Sequence, residues 1–227
     1  MQHEYEINEL IKEDSWRMFR IIGEFVSGFD ALSDVEPAVS IYGSARLKPN
    51  DELYKRTEEI SERLGNMGFS IITGGGPGVM EAANKGAAKA GANSIGLNIN
   101  LPEEQAGNTY TTRSLTFNHF FVRKVMLVKY ASAFVIMPGG LGTLDELTEV
   151  LNLIQTYKIK PFPVILYDAD FWQGFLDWMR RNSLANGYIS ESDLNLLRIC
   201  KSPDEVTETI LMWYSKGKLS GKQAITG

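Results

Sequence analysis

With 227 residues, 44% of them hydrophobic and 22% charged, the chain has the composition of an ordinary globular protein, long enough for one large α/β domain with appended helices. Its formal charge of −5, from 23 basic and 28 acidic side chains, disfavours general nucleic-acid binding and requires any anion site to be a local device. The single cysteine, Cys200, excludes an intramolecular disulfide and a structural zinc site, and no apolar run reaches membrane-spanning length, so a reducing cytoplasm is the expected location.

From Ile7 to Leu32 apolar residues (Ile7, Leu10, Ile11, Met18, Ile21, Ile22, Phe25) recur at helical spacing, which predicts a long amphipathic helix packed on the main domain or on a second subunit. Ala38 to Tyr42, closed by Gly43-Ser44, has the length and composition of a buried strand. Asp51 to Met67 then reads as a helix, Phe69 to Thr73 as a strand, Gly78 to Ala90 as a helix and Asn93 to Leu97 as a strand. A polar, Thr-rich stretch from Glu103 to Thr116 follows. Beyond it the pattern predicts a helix over His119 to Tyr130, a strand over Ala133 to Met137, a helix over Gly142 to Thr156 and a strand over Pro163 to Tyr167. Helices are expected over Asp170 to Arg181, Ser190 to Asn195 and Pro203 to Tyr214, with a flexible tail over 216–227. This alternation predicts an α/β fold: a Rossmann-like, doubly wound parallel sheet with helices on both faces, spanning 37–215, plus an N-terminal helical extension over 1–36. No repeat or linker marks a second domain.

Two glycine-rich turns stand at strand ends and run directly into helices: Thr73-Gly74-Gly75-Gly76-Pro77-Gly78-Val79-Met80-Glu81, and Met137-Pro138-Gly139-Gly140-Leu141-Gly142-Thr143-Leu144-Asp145-Glu146. Each offers free N–H groups and the positive end of a helix dipole to a phosphate, and Thr143 adds a hydroxyl donor. The bland alternative is that the glycines only make tight turns; two such turns weigh against it. Neither is the dinucleotide fingerprint, because Val79 and Asp145 stand where the third small residue belongs, and neither carries the Gly-Lys-Ser/Thr of a Walker loop.

Glu146 falls in the first turn of the helix after the second loop, where its carboxylate can face the same pocket as the loop amides. A carboxylate there stabilises the oxocarbenium character of a glycosidic carbon losing its base, or orients water; alternatively it merely complements the helix dipole. Arg123 and Lys124 open the helix whose following strand leads into the second turn, and a guanidinium holds phosphate or ribose oxygens bidentately, although a basic pair alone is usually a solvated face. His3 and His119 have no partners at metal spacing, so no metal is expected. Cys200 reads as a buried structural thiol, and Trp172, Phe175, Trp178 and Met179 as core or interface.

The segment Pro138-Gly139-Gly140-Leu141-Gly142-Thr143-Leu144-Asp145-Glu146 closely resembles the Pro-Gly-Gly-x-Gly-Thr-x-x-Glu signature of the Lonely Guy (LOG) family, whose members are often labelled lysine decarboxylases. The resemblance extends to Gly74 through Ala82, to Gly43-Ser44-Ala45-Arg46 and to the Arg123-Lys124 pair, and so spans about Val39 to Lys160. It departs in Phe120-Phe121-Val122, where short members carry Met-His two residues before Arg-Lys, and in Asp145 for the commoner Glu; these features and the long first helix are similar to a longer bacterial branch that forms oligomers. The resemblance implies that Arg123 and Glu146 are catalytic, and that Lys124, Pro138, Gly139, Gly140, Gly142 and Thr143, with Ser44, Gly74, Gly75, Gly76, Gly78 and Glu81, hold the substrate.

The implied activity is hydrolysis of the N-glycosidic bond of a nucleoside 5′-monophosphate, a cytokinin riboside monophosphate or AMP, to free base and ribose 5-phosphate, with no metal or organic cofactor. The implied partners are that substrate and at least one further copy of the chain, without nucleic acid or membrane. Lysine decarboxylation finds no support, since it needs a pyridoxal-phosphate Schiff base in a much larger fold. The alternative is a carrier that binds a nucleotide or molybdopterin at the same turns without cleaving it.

Overall fold

The computed structural model describes residues 14–101 and 107–223. Ile7, Leu10 and Ile11 of the expected first helix, residues 102–106 of the Thr-rich stretch and residues 224–227 lie outside the described residues.

In chain order the elements are α1 (Asp14–Ala31), β1 (Ala38–Tyr42), α2 (Glu52–Asn66), β2 (Ser70–Thr73), α3 (Val79–Lys89), β3 (Ser94–Ile99), β4 (Arg113–Phe117), α4 (Phe120–Lys129), β5 (Ala131–Ile136), α5 (Leu141–Gln155), β6 (Val164–Tyr167), α6 (Ala169–Trp178), α7 (Glu191–Leu194), β7 (Leu197–Cys200) and α8 (Pro203–Gln223). The seven strands of the described residues join one sheet in the order β4-β3-β2-β1-β5-β6-β7, with every pairing parallel. From β1 the chain winds outward through β2 to β4, then crosses back to β5 and winds the other way, which is the doubly wound topology the alternation predicts.

β1 is buried at all five positions, and the two-residue period of a strand divides its side chains between two cores. Val39 and Ile41 face one core with Ile60 and Leu64 of α2, Val79 and Ala83 of α3, and Val206 and Ile210 of α8. Ala38 and Tyr42 face the other with Val122 and Met126 of α4, Leu147 and Val150 of α5, and Trp172 of α6. Helices therefore cover both faces. Ile21 and Phe25 of α1 pack on the second core, while Trp16, Phe19, Ile22 and Val26 of the same helix are exposed.

Two strands were not legible in the sequence. β4 begins inside the polar, Thr-rich stretch, to which the pattern assigns no element; it is an edge strand, Arg-Ser-Leu-Thr-Phe, paired on one side only, whose burial alternates, with Ser114 and Thr116 facing outward. β7, Leu-Arg-Ile-Cys, takes the opposite edge; Arg198 interrupts it, so it lacks the continuous apolar run that marks the equally short β6. Cys200 ends it, buried as expected. Trp172 and Leu176 are buried on α6, whereas Trp178 points outward and residues Met179–Leu184 wind as a π-helix. α8 continues as helix past Lys216 to Gln223. Among the described residues no helix is long and apolar enough to cross a membrane.

Candidate active site

β1 and β5 are neighbours whose following segments leave the sheet toward opposite sides, so their carboxyl ends open a crevice, the usual ligand position in such sheets. A cavity of about 590 Å³ lies there, lined by Tyr42 through Arg46 after β1, by Gly74 and Met80, by Phe120, Arg123 and Leu127 of α4, and by Gly140 through Thr143 with Asp145 and Glu146 at the start of α5.

The second glycine turn builds one end of it. Gly140 caps α5 without a side-chain hydrogen bond, and a Cβ on Gly140 or Gly142 would meet nothing within 4 Å, so the backbone of this first turn is open to the cavity. Gly139 is different: a Cβ there would overlap the Oγ1 of buried Thr143, so only glycine lets the turn close over that hydroxyl. The Ser44 N–H donates to the Pro138 carbonyl at 3.0 Å and ties the loop after β1 to this turn.

The first glycine turn contributes less than its sequence promises. Only Gly74 and Met80 of it line the cavity. The Gly75 N–H donates to Thr73 Oγ1 at 2.9 Å and the Val79 N–H to the Ser44 carbonyl at 2.9 Å, while the Asn108 side chain donates to the carbonyls of Gly75 and Gly76 at 3.0 and 3.1 Å. These groups are spent on holding the turn, and Gly75 and Gly78 adopt φ of +73° and +69° to make it. The Glu81 carboxylate accepts from the Tyr54 hydroxyl at 2.7 Å. The structure thus brings Ser44, Gly74, Arg123, Gly140, Gly142, Thr143 and Glu146 together, and leaves Gly75, Gly76, Gly78, Glu81, Lys124, Pro138 and Gly139 outside the lining.

Arg123 is set by its helix. Ser40 Oγ donates to the Leu127 carbonyl at 2.6 Å, with the Tyr42 hydroxyl at 3.4 Å from the same oxygen, which fixes the rotation of α4 from β1. Arg123 lies one turn earlier on the same face. Its Nε donates to the Leu97 carbonyl at 2.7 Å, and a Cβ on Gly74 would overlap its Nη2, so the guanidinium rests directly on the glycine backbone. Burial pushes the guanidinium below its usual value and the charge of Glu146 pulls it up; an arginine keeps its charge in proteins.

Glu146 is the most perturbed acid of the cavity. Burial raises its carboxyl to about 7, against the opposing charges of Lys124 and Arg123, with Glu149 and Asp145 adding to the rise. Its Oε2 is buried without a hydrogen-bond partner, a costly arrangement unless a ligand or water meets it. Tyr42 beside it is held as a neutral hydroxyl, by burial first and then by the Glu146 charge. Lys124 turns away from the cavity: its Nζ lies 2.9 Å from Asp145 Oδ2 and 3.0 Å from Glu149 Oε2, the latter an ion pair off hydrogen-bonding alignment. Open amides at one end, a buried cation and an acid titrating near neutrality suit an anionic ligand undergoing a reaction that develops positive charge.

Arg46, Met80, Phe120, Leu127 and Leu141 also line the cavity and are absent from the sequence-derived site. Arg46 had a signal, since it closes the Gly43-Ser44-Ala45-Arg46 motif. The apolar residues had none, because nothing in helical periodicity separates a pocket wall from a core face.

The fold and cavity define a Rossmann-like α/β protein with a crevice at the switch point of its sheet, lined by a helix N-terminus and a buried guanidinium. The chain belongs to the family described as "Possible lysine decarboxylase", the LOG family, whose sequence profile matches residues 80–210. It is similar to the cytokinin riboside 5′-monophosphate phosphoribohydrolase LOG of Oryza sativa subsp. japonica, with 31% identity over 138 residues that cover 59% of this chain and 55% of that protein. It is also similar to the pyrimidine/purine nucleotide 5′-monophosphate nucleosidase of Escherichia coli, 30% identical over 138 residues, 56% of this chain and 30% of that protein. The chain thus spans about half the length of the rice relative and less than a third of the bacterial one. Among solved structures, the molybdenum cofactor binding protein of Rippkaea orientalis shares the fold, with a TM-score of 0.56 at 24% identity over 77% of this chain and 94% of that one. The molybdenum cofactor carrier protein of Chlamydomonas reinhardtii does so with a TM-score of 0.56 at 18% identity, over 79% and 98%. No lysine is among the residues lining the cavity, so it offers no amine for the Schiff base that the family's description would call for.

Proposed function

We propose that this chain hydrolyses the N-glycosidic bond of nucleoside 5′-monophosphates, adding water at C1′ of the ribose and releasing the free base and ribose 5-phosphate. The observation that carries this reading is the buried, unpartnered carboxylate oxygen of Glu146 in a cavity shared with Arg123 and with the open amides of Gly140 and Gly142. The amides and Thr143, with Ser44 and Arg46, hold the 5′-phosphate; Arg123 positions the nucleotide; Glu146 in its ionised form stabilises the ribosyl cation as the base departs, or directs the water. Relatives named for the same bond cleavage on cytokinin riboside and on pyrimidine or purine monophosphates support the reading.

The test is chromatography of the protein incubated with AMP and, separately, with isopentenyladenosine monophosphate. Free base and ribose 5-phosphate are expected from at least one, with release falling by roughly 10²-fold or more in Glu146→Gln and Arg123→Ala while Glu146→Gln still binds ribose 5-phosphate. Recovery of both nucleotides intact from a protein that binds them would instead assign a carrier, the role in the name of the Chlamydomonas reinhardtii protein that shares its fold.

A further inference from the structure

α5 carries three carboxylates within two turns, Asp145, Glu146 and Glu149, and one ammonium from α4 faces them. Asp145 and Glu149 are four residues apart and so share a helix face, and both close on Lys124, whose side chain is 16% exposed. Arg123, Asp145 and Glu146 line the cavity but Lys124 does not, so to reach a phosphate it would have to leave both carboxylates.

We propose that Lys124 is a positioning residue: clasped by Asp145 and Glu149 behind the cavity wall, its ammonium keeps the neighbouring Glu146 carboxylate charged in the cavity it shares with Arg123, and it does not bind the substrate phosphate. The groups that face Glu146 are Tyr42 from β1, Arg123 and Lys124 from α4, and Asp145 and Glu149 from α5. Of the influences on Glu146, burial is the largest and raises it; Lys124 is the next and the strongest that lowers it, ahead of Arg123. Burial depresses the Lys124 ammonium in turn, but the hydrogen bond to Asp145 and the ion pair with Glu149 more than offset this and leave it above its usual value, so it stays charged throughout the range in which Glu146 titrates. Removing Lys124 therefore exposes Glu146 to the uncompensated like charges of Asp145 and Glu149.

The kinetic readout rests on the hydrolase reading; a second readout does not. The rate of AMP cleavage is followed against pH for the parent, Lys124→Gln and Lys124→Arg, ribose 5-phosphate affinity is measured by calorimetry, and the Glu146 carboxyl is titrated by ¹³C NMR of glutamate-labelled protein, assigned with Glu146→Gln. In Lys124→Gln the acid limb is expected to move to higher pH, so that the rate at pH 6 falls on the order of tenfold, a pKa unit being a factor of ten in the ionised fraction, while the rate at pH 9 changes little. Ribose 5-phosphate affinity stays within about twofold, and Lys124→Arg restores the limb. An unmoved limb with affinity weakened about tenfold would overturn the proposal and make Lys124 a phosphate ligand. If the parent cleaves neither nucleotide the hydrolase reading falls, but the NMR midpoint still decides: upward in Lys124→Gln supports the role of Lys124, unmoved overturns it. Should Lys124→Gln not fold, Glu149→Gln removes a like charge at nearly constant shape; its NMR midpoint moves down if the carboxylate cluster governs Glu146, and a midpoint that stays or rises overturns the proposal.

Discussion

Glu146 couples the stability of the fold to pH. Its carboxyl titrates at about 7 in the fold and near 4.5 in the unfolded chain, so folding takes up a proton between those values and its contribution turns unfavourable as pH rises from about 4.5 to 7. Glu146→Gln removes this cost. The variant is expected to unfold at higher urea than the parent at pH 8, by about 1–3 kcal/mol, with the difference gone at pH 4.5; a variant weaker than the parent at pH 8 would show that its charge opposite Arg123 stabilises the fold instead. If the proposed reaction is correct, the same ionisation gives AMP cleavage an acid limb near pH 7. At this scale the sequence revealed the residues that sit in local patterns. Glu146 was legible because five residues before it form a turn with known geometry. Asn108 was not, since its carbonyl partners Gly75 and Gly76 are more than thirty residues away, nor was the clasp on Lys124, which reaches Asp145 across twenty-one.

At the scale of elements, the two glycine turns look alike in sequence and differ in use. In the first, backbone groups are consumed by Thr73, Ser44 and Asn108; in the second they open on the cavity. Substitution by alanine separates the two. Gly78→Ala places a Cβ against the Ser44 carbonyl at a φ of +69°, and is expected to cost about 2 kcal/mol or more in urea unfolding. Gly142→Ala meets no atom and adds a helix-favouring residue, so its stability should hold or rise by up to about 1 kcal/mol, while on the proposed reading ribose 5-phosphate binds on the order of tenfold more weakly, because the methyl enters the space proposed for the phosphate. Equal stability losses in the two variants would remove the distinction. The central strands were legible because burial on both faces leaves a continuous apolar run such as Ala-Val-Ser-Ile-Tyr; edge strands β4 and β7 carry half that signal, because one side and part of one face meet solvent.

For the whole molecule, the order of elements was enough to foresee a doubly wound sheet, but not the fastening of α1 to it. Glu24 of α1 accepts from the N–H groups of Asn118 and His119 ahead of α4, and Arg113 of β4 donates to the Ala31 carbonyl and to Asp34. So fixed, α1 presents Trp16, Phe19, Ile22 and Val26 outward, and Phe121 and Val125 of α4 are exposed as well. We propose that these faces pair two copies of the chain. Sedimentation at micromolar concentration should then give a dimer or larger for the parent and a smaller species for Ile22→Asp; a monomeric parent counts against pairing.

The hydrogen bonds from Ser40 and Tyr42 to the Leu127 carbonyl have one more consequence. Arg123 and Lys124 stand on the same ten-residue helix, and that helix takes its rotation from β1 through a single acceptor. Heat need not melt the sheet to silence the cavity. Loosening α4 alone would withdraw Arg123 from the cavity and Lys124 from its carboxylates at once, so an opening confined to one ten-residue helix disarms the site while the sheet stands.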